Sequence, residues 1–199
     1  MHRLKLKKTE GFTLAELMVS MGIGMVMLAA VTTTFMSQTK IYNAQEQINE
    51  MQQNARGAAD VITRELKMAG YKPNGGTVIG VTYNVTQLMI EADLDASGGA
   101  INTSSTSNER IIYAYDSTNK QITRAVGSGS AEVLTDNITA FTFSYLDSTG
   151  ASTTTSANIR QVSISITART AKPDPNYTSN NGHRTYTVTA TITPPNLAL

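Results

Sequence analysis

Cysteine is absent from the 199 residues. That excludes disulfides, thiolate catalysis and cysteine-based zinc sites, although it does not name a compartment. Histidine is nearly absent: His2 and His183 are the only two, and a lone histidine in a Gly-His loop reads as a solvated residue, not a metal ligand. Charge is thin, at 16% of residues against roughly 25% in soluble proteins. The net charge is +1, but residues 1–8 hold Arg3, Lys5, Lys7 and Lys8 with no acid, and without residues 1–11 the chain keeps 12 bases against 14 acids. Such a near-neutral body has no electrostatic footprint for nucleic acid. No GxSxG, HExxH, P-loop or GxGxxG pattern occurs, and Gly-Ser-Gly-Ser at 127–130 has no adjacent base. Catalysis is therefore not expected. Proline is missing from Phe12 to Tyr71, so nothing there removes a helical N–H.

What is present begins with an apolar run. Residues 12–36, FTLAELMVSMGIGMVMLAAVTTTFM, hold one charge, Glu16, in 25 residues. As a helix rising about 1.5 Å per residue, the run is long enough for roughly 30 Å of hydrocarbon. Its basic flank predicts a cytoplasmic amino terminus with the rest outside. A secretory signal would place a small-residue cleavage site after the run. Here the polar break precedes it, at Lys7-Lys8-Thr9-Glu10-Gly11-Phe12.

Lys7, Lys8, Gly11, Phe12, Thr13, Leu14 and Glu16 together resemble the type IV prepilin (class III) signal. The resemblance implies that a membrane prepilin peptidase cuts between Gly11 and Phe12 and methylates the new amine of Phe12. A residue without a Cβ at Gly11 lets a peptidase approach the backbone closely. An intramembrane acid is a functional hypothesis by default. In the family the acid matching Glu16 pairs with the terminal amine of a neighbouring subunit during assembly. The alternative is a glutamate snorkelling to the headgroups.

The helical pattern continues past the membrane edge. Ile41, Ala44, Ile48, Met51, Ala55, Ala58, Ile62, Leu66 and Ala69 recur at steps of three and four, which marks one amphipathic face. Gly70 reads as a C-cap, and Pro73 blocks continuation. A helix over 12–69 follows, with its stripe packed on the chain's own sheet. Gly22 and Gly24 read either as points of bending or as close-packing positions. Thr63 to Tyr71, TRELKMAGY, is similar to the helix ends of PilW-like minor pilins and of J-type pseudopilins of type II secretion.

After Gly70 the composition turns to Thr, Ser, Asn and Gly with period-two runs. Strands are predicted over 77–83, 86–92, 110–116, 121–126, 138–147, 158–170 and 183–193. Phe141, Phe143 and Tyr145 share one face, and Val162, Ile164 and Ile166 another. Half-buried strands of this kind predict an antiparallel sheet packed on the helix. Turns or loops fall at 98–109, 116–120, 147–153 and 171–183, the last holding Pro173 and Pro175. The strand order resembles that of PilW-like minor pilins. Pro194 and Pro195 stand where relatives often have basic residues, so their tail contact is not carried over, although Asn196 remains.

Asp93, Asp95 and Ser97, followed by Gly98, place oxygens at alternate positions as an EF-hand-like calcium loop begins. The twelfth position holds Ser104, not a bidentate glutamate, so calcium would need Glu109 or a distant carboxylate. The alternative is a polar loop whose Asp side chains cap backbone donors.

The expected fold is therefore α+β and type IV pilin-like: a long amino-terminal helix, transmembrane in its first half, packed on a carboxy-terminal antiparallel β-sheet domain. The expected divisions are a leader at 1–11, a transmembrane and filament-core helix at 12–36, the amphipathic second half at 37–70 and a β-rich head at 71–199. The resemblance implies a minor pilin acting in initiation of a pilus or at its tip. It also implies other pilins, a prepilin peptidase, an inner-membrane platform and a cytoplasmic ATPase as partners, and no cofactor unless calcium. The subunit would wait in the inner membrane with its head in the periplasm and be extracellular in the fibre. A J-like minor pseudopilin and an adhesion or DNA-uptake module are the alternatives.

Overall fold

A computed structural model describes residues 11–197. The proline-free stretch forms one uninterrupted helix, α1 (Leu14–Leu66), with Glu16 in its first turn and Arg64 in its last. It runs without a break through Gly22 and Gly24, so neither glycine melts it. Beyond Leu66 the turns tighten to Met68 N–H on Glu65 C=O and Ala69 N–H on Leu66 C=O, both at 3.0 Å. Gly70 then takes φ +75°, in the left-handed region that a Cβ disfavours, and donates its N–H to Glu91 C=O at 2.9 Å.

The described chain divides into two units, one ending at Gln45 and the other beginning at Glu46. In the first, every large apolar side chain from Phe12 to Met36 is exposed. This is the only described helix long and apolar enough to cross a membrane. Thr32, Thr33 and Thr34 sit in that apolar stretch with their hydroxyls donating to the carbonyls of Leu28, Ala29 and Ala30 at 2.7–2.9 Å. Self-satisfied hydroxyls of this kind are compatible with an apolar setting.

The second unit is built on the stripe that the period predicted. Met51, Ala55, Ala58, Ile62, Leu66 and Ala69 are all buried, joined by Ala59. Against them lie two antiparallel sheets instead of the single sheet expected. The first has five strands in the order β1 (Val81–Thr82), β2 (Gln87–Glu91), β3 (Arg110–Asp116), β4 (Gln121–Val126) and β5 (Glu132–Thr135). The second has three, β6 (Ile138–Leu146), β7 (Gln161–Arg169) and β8 (Thr185–Ile192). Val162, Ile164 and Ile166 of β7 pair with Tyr145, Phe143 and Phe141 of β6. Both rows enter the same hydrophobic cluster as the helix stripe, Phe143 as a partly buried member.

Several elements differ from the pattern-based reading. The strand predicted over 77–83 shrinks to Val81–Thr82, because Gly80 at φ +80° turns the chain just before it. Strand β5 was not predicted; its first two residues, Glu132 and Val133, are exposed and give no alternation. The last described residues do make a tail contact. Leu197 is buried, and Asn196 Nδ2 approaches the Ala69 carbonyl at 3.4 Å. His183 is half-buried, with Nδ1 at 2.7 Å from the Thr170 carbonyl, where the sequence suggested a solvated loop residue.

Candidate functional site

The amino end of α1 is the first place to look. Residues 1–10, including Lys7 and Lys8, lie outside the described residues. Gly11 precedes the helix, and a Cβ added there would meet nothing within 4 Å. The fold therefore sets no requirement for glycine at this position. Phe12 is 91% exposed. Thr13 and Glu16 close on each other: the Thr13 N–H and hydroxyl both donate to Glu16 Oε2 at 2.9 Å, and the Glu16 N–H donates to Thr13 Oγ1 at 3.3 Å.

This is a capping box, which satisfies two of the otherwise orphaned donors at a helix start. Its signature, Thr-x-x-Glu before an apolar run, is present in the sequence at Thr13 to Glu16, inside the processing motif. The box holds the Glu16 carboxylate at the helix entrance, one turn from Phe12. An amine brought there by another chain would meet an acceptor whose position is already fixed.

The acidic loop after β2 is the second place. Carboxylate oxygens of Asp93, Asp95 and Glu109 come within 4.8 Å of one another, and Asp93 and Glu109 are buried. Ser97 is in the same loop, with its N–H on Asp93 Oδ1 and on Asp95 Oδ1, both at 3.0 Å. Asp93 Oδ2 accepts from Gly98 and Gly99 N–H at 3.1 and 2.6 Å. Glu109 Oε1 accepts from Leu94 and Asp95 N–H at 3.0 and 2.8 Å, and its Oε2 from Asn102 N–H at 2.6 Å. Burial raises the Asp93 pKa more than any other single influence. The N–H groups of Gly99, Ser97 and Gly98 together with Asp95 outweigh it, and the carboxyl ends below its ordinary value. Among the described residues, Asp93, Asp95 and Glu109 are the acidic group that could hold a metal, yet their oxygens already organise the loop by accepting backbone donors.

A third cluster was not read from the sequence. Glu65, in the last turn of α1, accepts from the Tyr113 hydroxyl and pairs with Arg124 at 2.8 Å. Tyr113 and Arg124 are directly opposite each other across β3 and β4. Burial first, then the hydrogen bond and the negative charge of Glu65, push the Tyr113 pKa far up, so the phenol stays protonated. The three side chains bind the end of the helix to the first sheet. No reacting atom or open nucleophile is placed among them. Arg64, its neighbour in TREL, instead makes an exposed pair with Asp60 at 2.8 Å.

The prokaryotic N-terminal methylation motif matches residues 6–32, spanning Gly11, Phe12 and Glu16. A type IV-like pilin from Thermus thermophilus is similar in structure, with 14% identity, 78% of this chain and 98% of that chain covered, and a TM-score of 0.47. None of the curated proteins matches the chain. The apolar helix and the methylation motif fit a membrane-anchored pilin-like protein. The model of the prepilin peptidase-dependent protein B family matches residues 44–193, which covers the second unit almost completely, and the chain belongs to that family.

Proposed function

We propose that the chain is a minor pilin of a type IV pilus, taking part in the start of fibre assembly or forming part of its tip. The observation that carries this is the arrangement at the helix entrance: Gly11 and an exposed Phe12 sit immediately before a capping box that fixes Glu16. Cleavage between Gly11 and Phe12 would create an amine one turn from Glu16 along the same helix. N-methylation of Phe12 leaves that amine basic. A carboxylate held at the helix entrance matches the amine of a neighbour, and the pair removes two charges from an otherwise apolar helix bundle. The exposed side chains from Phe12 to Met36 supply the packing surface, first to lipid and then to other pilins. In this reading the subunit waits in the inner membrane with its head in the periplasm, and an assembly platform moves it into an extracellular fibre.

Mass spectrometry of the membrane protein tests the first step. The expected species begins at N-methylated Phe12; an intact Met1 terminus in a peptidase-competent cell would exclude the processing. Glu16→Ala tests the second. Membrane insertion is expected to persist while incorporation into fibres or the initiating complex is lost, and wild-type incorporation would remove Glu16 from the register role. Thr13→Val separates hydroxyl capping from pairing, since it removes the two Oγ1 contacts of the box and keeps the carboxylate and the backbone N–H bond to it. Deletion of the gene is expected to remove fibres and leave type II secretion intact. The reverse outcome would favour the J-like pseudopilin.

A further inference from the structure

A sheet edge that ends in solvent is a template for a further strand, and folded proteins blunt such edges by shortness, bulges, charge, proline or a covering segment. Among the described strands, β1, β5, β6 and β8 end the two sheets, and the first three are treated in this way. Strand β1 is two residues long. Strand β5 is four residues long, begins at Glu132 and meets β4 with a register shift between Ile122 and Thr123. The outer side of β6 is covered. The Tyr115 hydroxyl donates to the Ile138 and Thr139 carbonyls at 3.1 and 2.9 Å, and the Thr153 N–H donates to the Tyr145 carbonyl at 2.9 Å.

Strand β8 has none of these devices. Its eight residues, Thr-Tyr-Thr-Val-Thr-Ala-Thr-Ile, hold no charge, proline or glycine, and it runs beside β7 with no register shift from Thr185 to Ile192. The ladder fixes which groups are open. The Thr170 N–H donates to the Arg184 carbonyl at 2.9 Å, next to the facing pair Arg169 and Thr185. Facing residues of an antiparallel pair alternate between bonded and non-bonded. Tyr186, Val188, Ala190 and Ile192 therefore bond to β7, while Thr185, Thr187, Thr189 and Thr191 turn both N–H and C=O to the open edge. The 2.9 Å approach of the Thr167 and Thr187 hydroxyls agrees, since side chains lie closer in non-bonded pairs. The Thr189 and Thr191 hydroxyls likewise donate to Ser165 and Ser163 on β7, away from the edge.

These open groups decide what fits. They repeat at every second residue, roughly 6.8 Å apart, a spacing that an extended main chain matches. With no charge along β8, a charged side chain brought against it would lose water without gaining a partner. The row facing the core, Tyr186, Val188 and Ala190, is only partly buried, so an added strand gains by placing apolar residues beside it. The threonine row on the other face suits hydroxyl or small polar residues. A second copy of the chain fits less well. Antiparallel pairing of β8 with the β8 of another copy sets a two-fold axis normal to the sheet. That axis reverses the direction of α1, whose stripe packs into the same core, whereas chains anchored by α1 in one membrane run the same way.

We propose that the open edge of β8 is a docking site for an extended segment of a different polypeptide, uncharged and apolar at every second residue, which adds to the second sheet as a further strand. Its main chain bonds to Thr185, Thr187, Thr189 and Thr191, and its apolar residues continue the row of Tyr186, Val188 and Ala190. Neither Phe12 processing nor Glu16 pairing enters this proposal. It is tested on the purified protein, so its failure leaves both untouched.

The experiment is amide hydrogen exchange of the full chain in detergent micelles, read residue by residue by NMR. One probe is a blocked peptide with the alternating sequence of β8 itself, followed by two lysines for solubility. The other is the same peptide with Pro-Pro replacing its central Val-Thr, which cannot continue a ladder. Without a probe, the amides of Thr187, Thr189 and Thr191 are expected to exchange fast and those of Tyr186, Val188 and Ala190 slowly. The first peptide is expected to slow the three threonine amides saturably, by about tenfold or more, and the proline peptide to leave them unchanged. Thr189→Pro removes an outward N–H and no bond to β7, a place where an edge strand tolerates proline, and is expected to abolish the effect. Thr187→Pro does the same at the next outward position, should the first variant fail to fold. Absence of slowing, equal slowing by both peptides, or slowing that survives the proline variants would overturn the assignment. So would threonine amides that are already slow without a probe and quicken on dilution, which would make the occupant a second copy.

Discussion

At Glu65 a single carboxylate serves two strands at once. It accepts from the fully buried Tyr113 and pairs with Arg124, and the glutamate and arginine side chains are only 21% and 26% exposed. Removing it leaves a phenolic hydroxyl and a guanidinium without their acceptor, and the desolvation of both is then uncompensated. Glu65→Ala is expected to destabilise the head by about 2–3 kcal/mol, a value reduced from the fully buried case because water reaches the pair. Glu65→Gln, which keeps an acceptor for Tyr113, is expected to cost roughly half as much. Urea midpoints of the two variants, compared with Tyr113→Phe, check this. Equal losses for Ala and Gln would mean that the tyrosine bond contributes nothing. The cluster escaped the sequence reading because Thr-Arg-Glu-Leu shows a charged helix end but not which of two adjacent charges faces inward. Arg64 and Glu65 are neighbours in sequence and point to different surroundings.

Among the elements, α1 was the most legible, because a period of 3.6 converts apolar spacing directly into a buried face. Its end was only partly legible. Gly70 is needed first for its left-handed φ of +75°, and a Cβ there would also lie 2.7 Å from Leu197 Cδ2. At Gly80 a Cβ would come within 2.6 Å of the Gly70 backbone nitrogen, in addition to 2.7 Å from Leu197 Cδ2. A side-chain end can move aside and a backbone nitrogen cannot, so Gly80→Ala is expected to destabilise more than Gly70→Ala. Both carry the penalty of a left-handed φ, about 1–2 kcal/mol. Thermal unfolding of the two variants ranks them, and the reverse order would show that the tail contact with Leu197 matters more than the backbone approach. The sheets were legible strand by strand but not as two sheets. Alternation tells which face of a strand is buried and says little about which strand it pairs with. The same limit applies to the acidic loop. Asp93, Asp95 and Ser97 follow from spacing alone. Glu109 joins them only because Glu91 pairs with Arg110, and the next backbone bond, Ala92 N–H to Glu109 C=O at 2.9 Å, carries the second acid beside the first.

For the whole molecule, the carboxylates that order loops set its response to acid. Asp116 is held below its ordinary pKa chiefly by the Asn119 N–H, Asp147 by the Thr149 hydroxyl and Asp174 by the Asn176 N–H with help from Arg184. Asp93 joins them, its N–H donors overcoming its burial. In each case the folded pKa lies below the unfolded value of about 3.9, so the unfolded chain takes up protons first as pH falls. The stabilisation from these groups is complete above that value and declines as pH drops through the folded pKa values. The head is therefore expected to show a pH-independent urea midpoint from neutrality to about pH 5, and a progressive fall below about pH 4. Asp116→Asn and Asp147→Asn at exposed turns are each expected to lower the neutral-pH midpoint slightly and to flatten the acid decline, because the titrating group has gone. A midpoint that stays level from pH 5 to pH 3 would show that these loop carboxylates do not couple to folding. A fall that begins well above pH 5 would place the controlling group elsewhere, among carboxylates whose pKa is raised by folding instead of lowered.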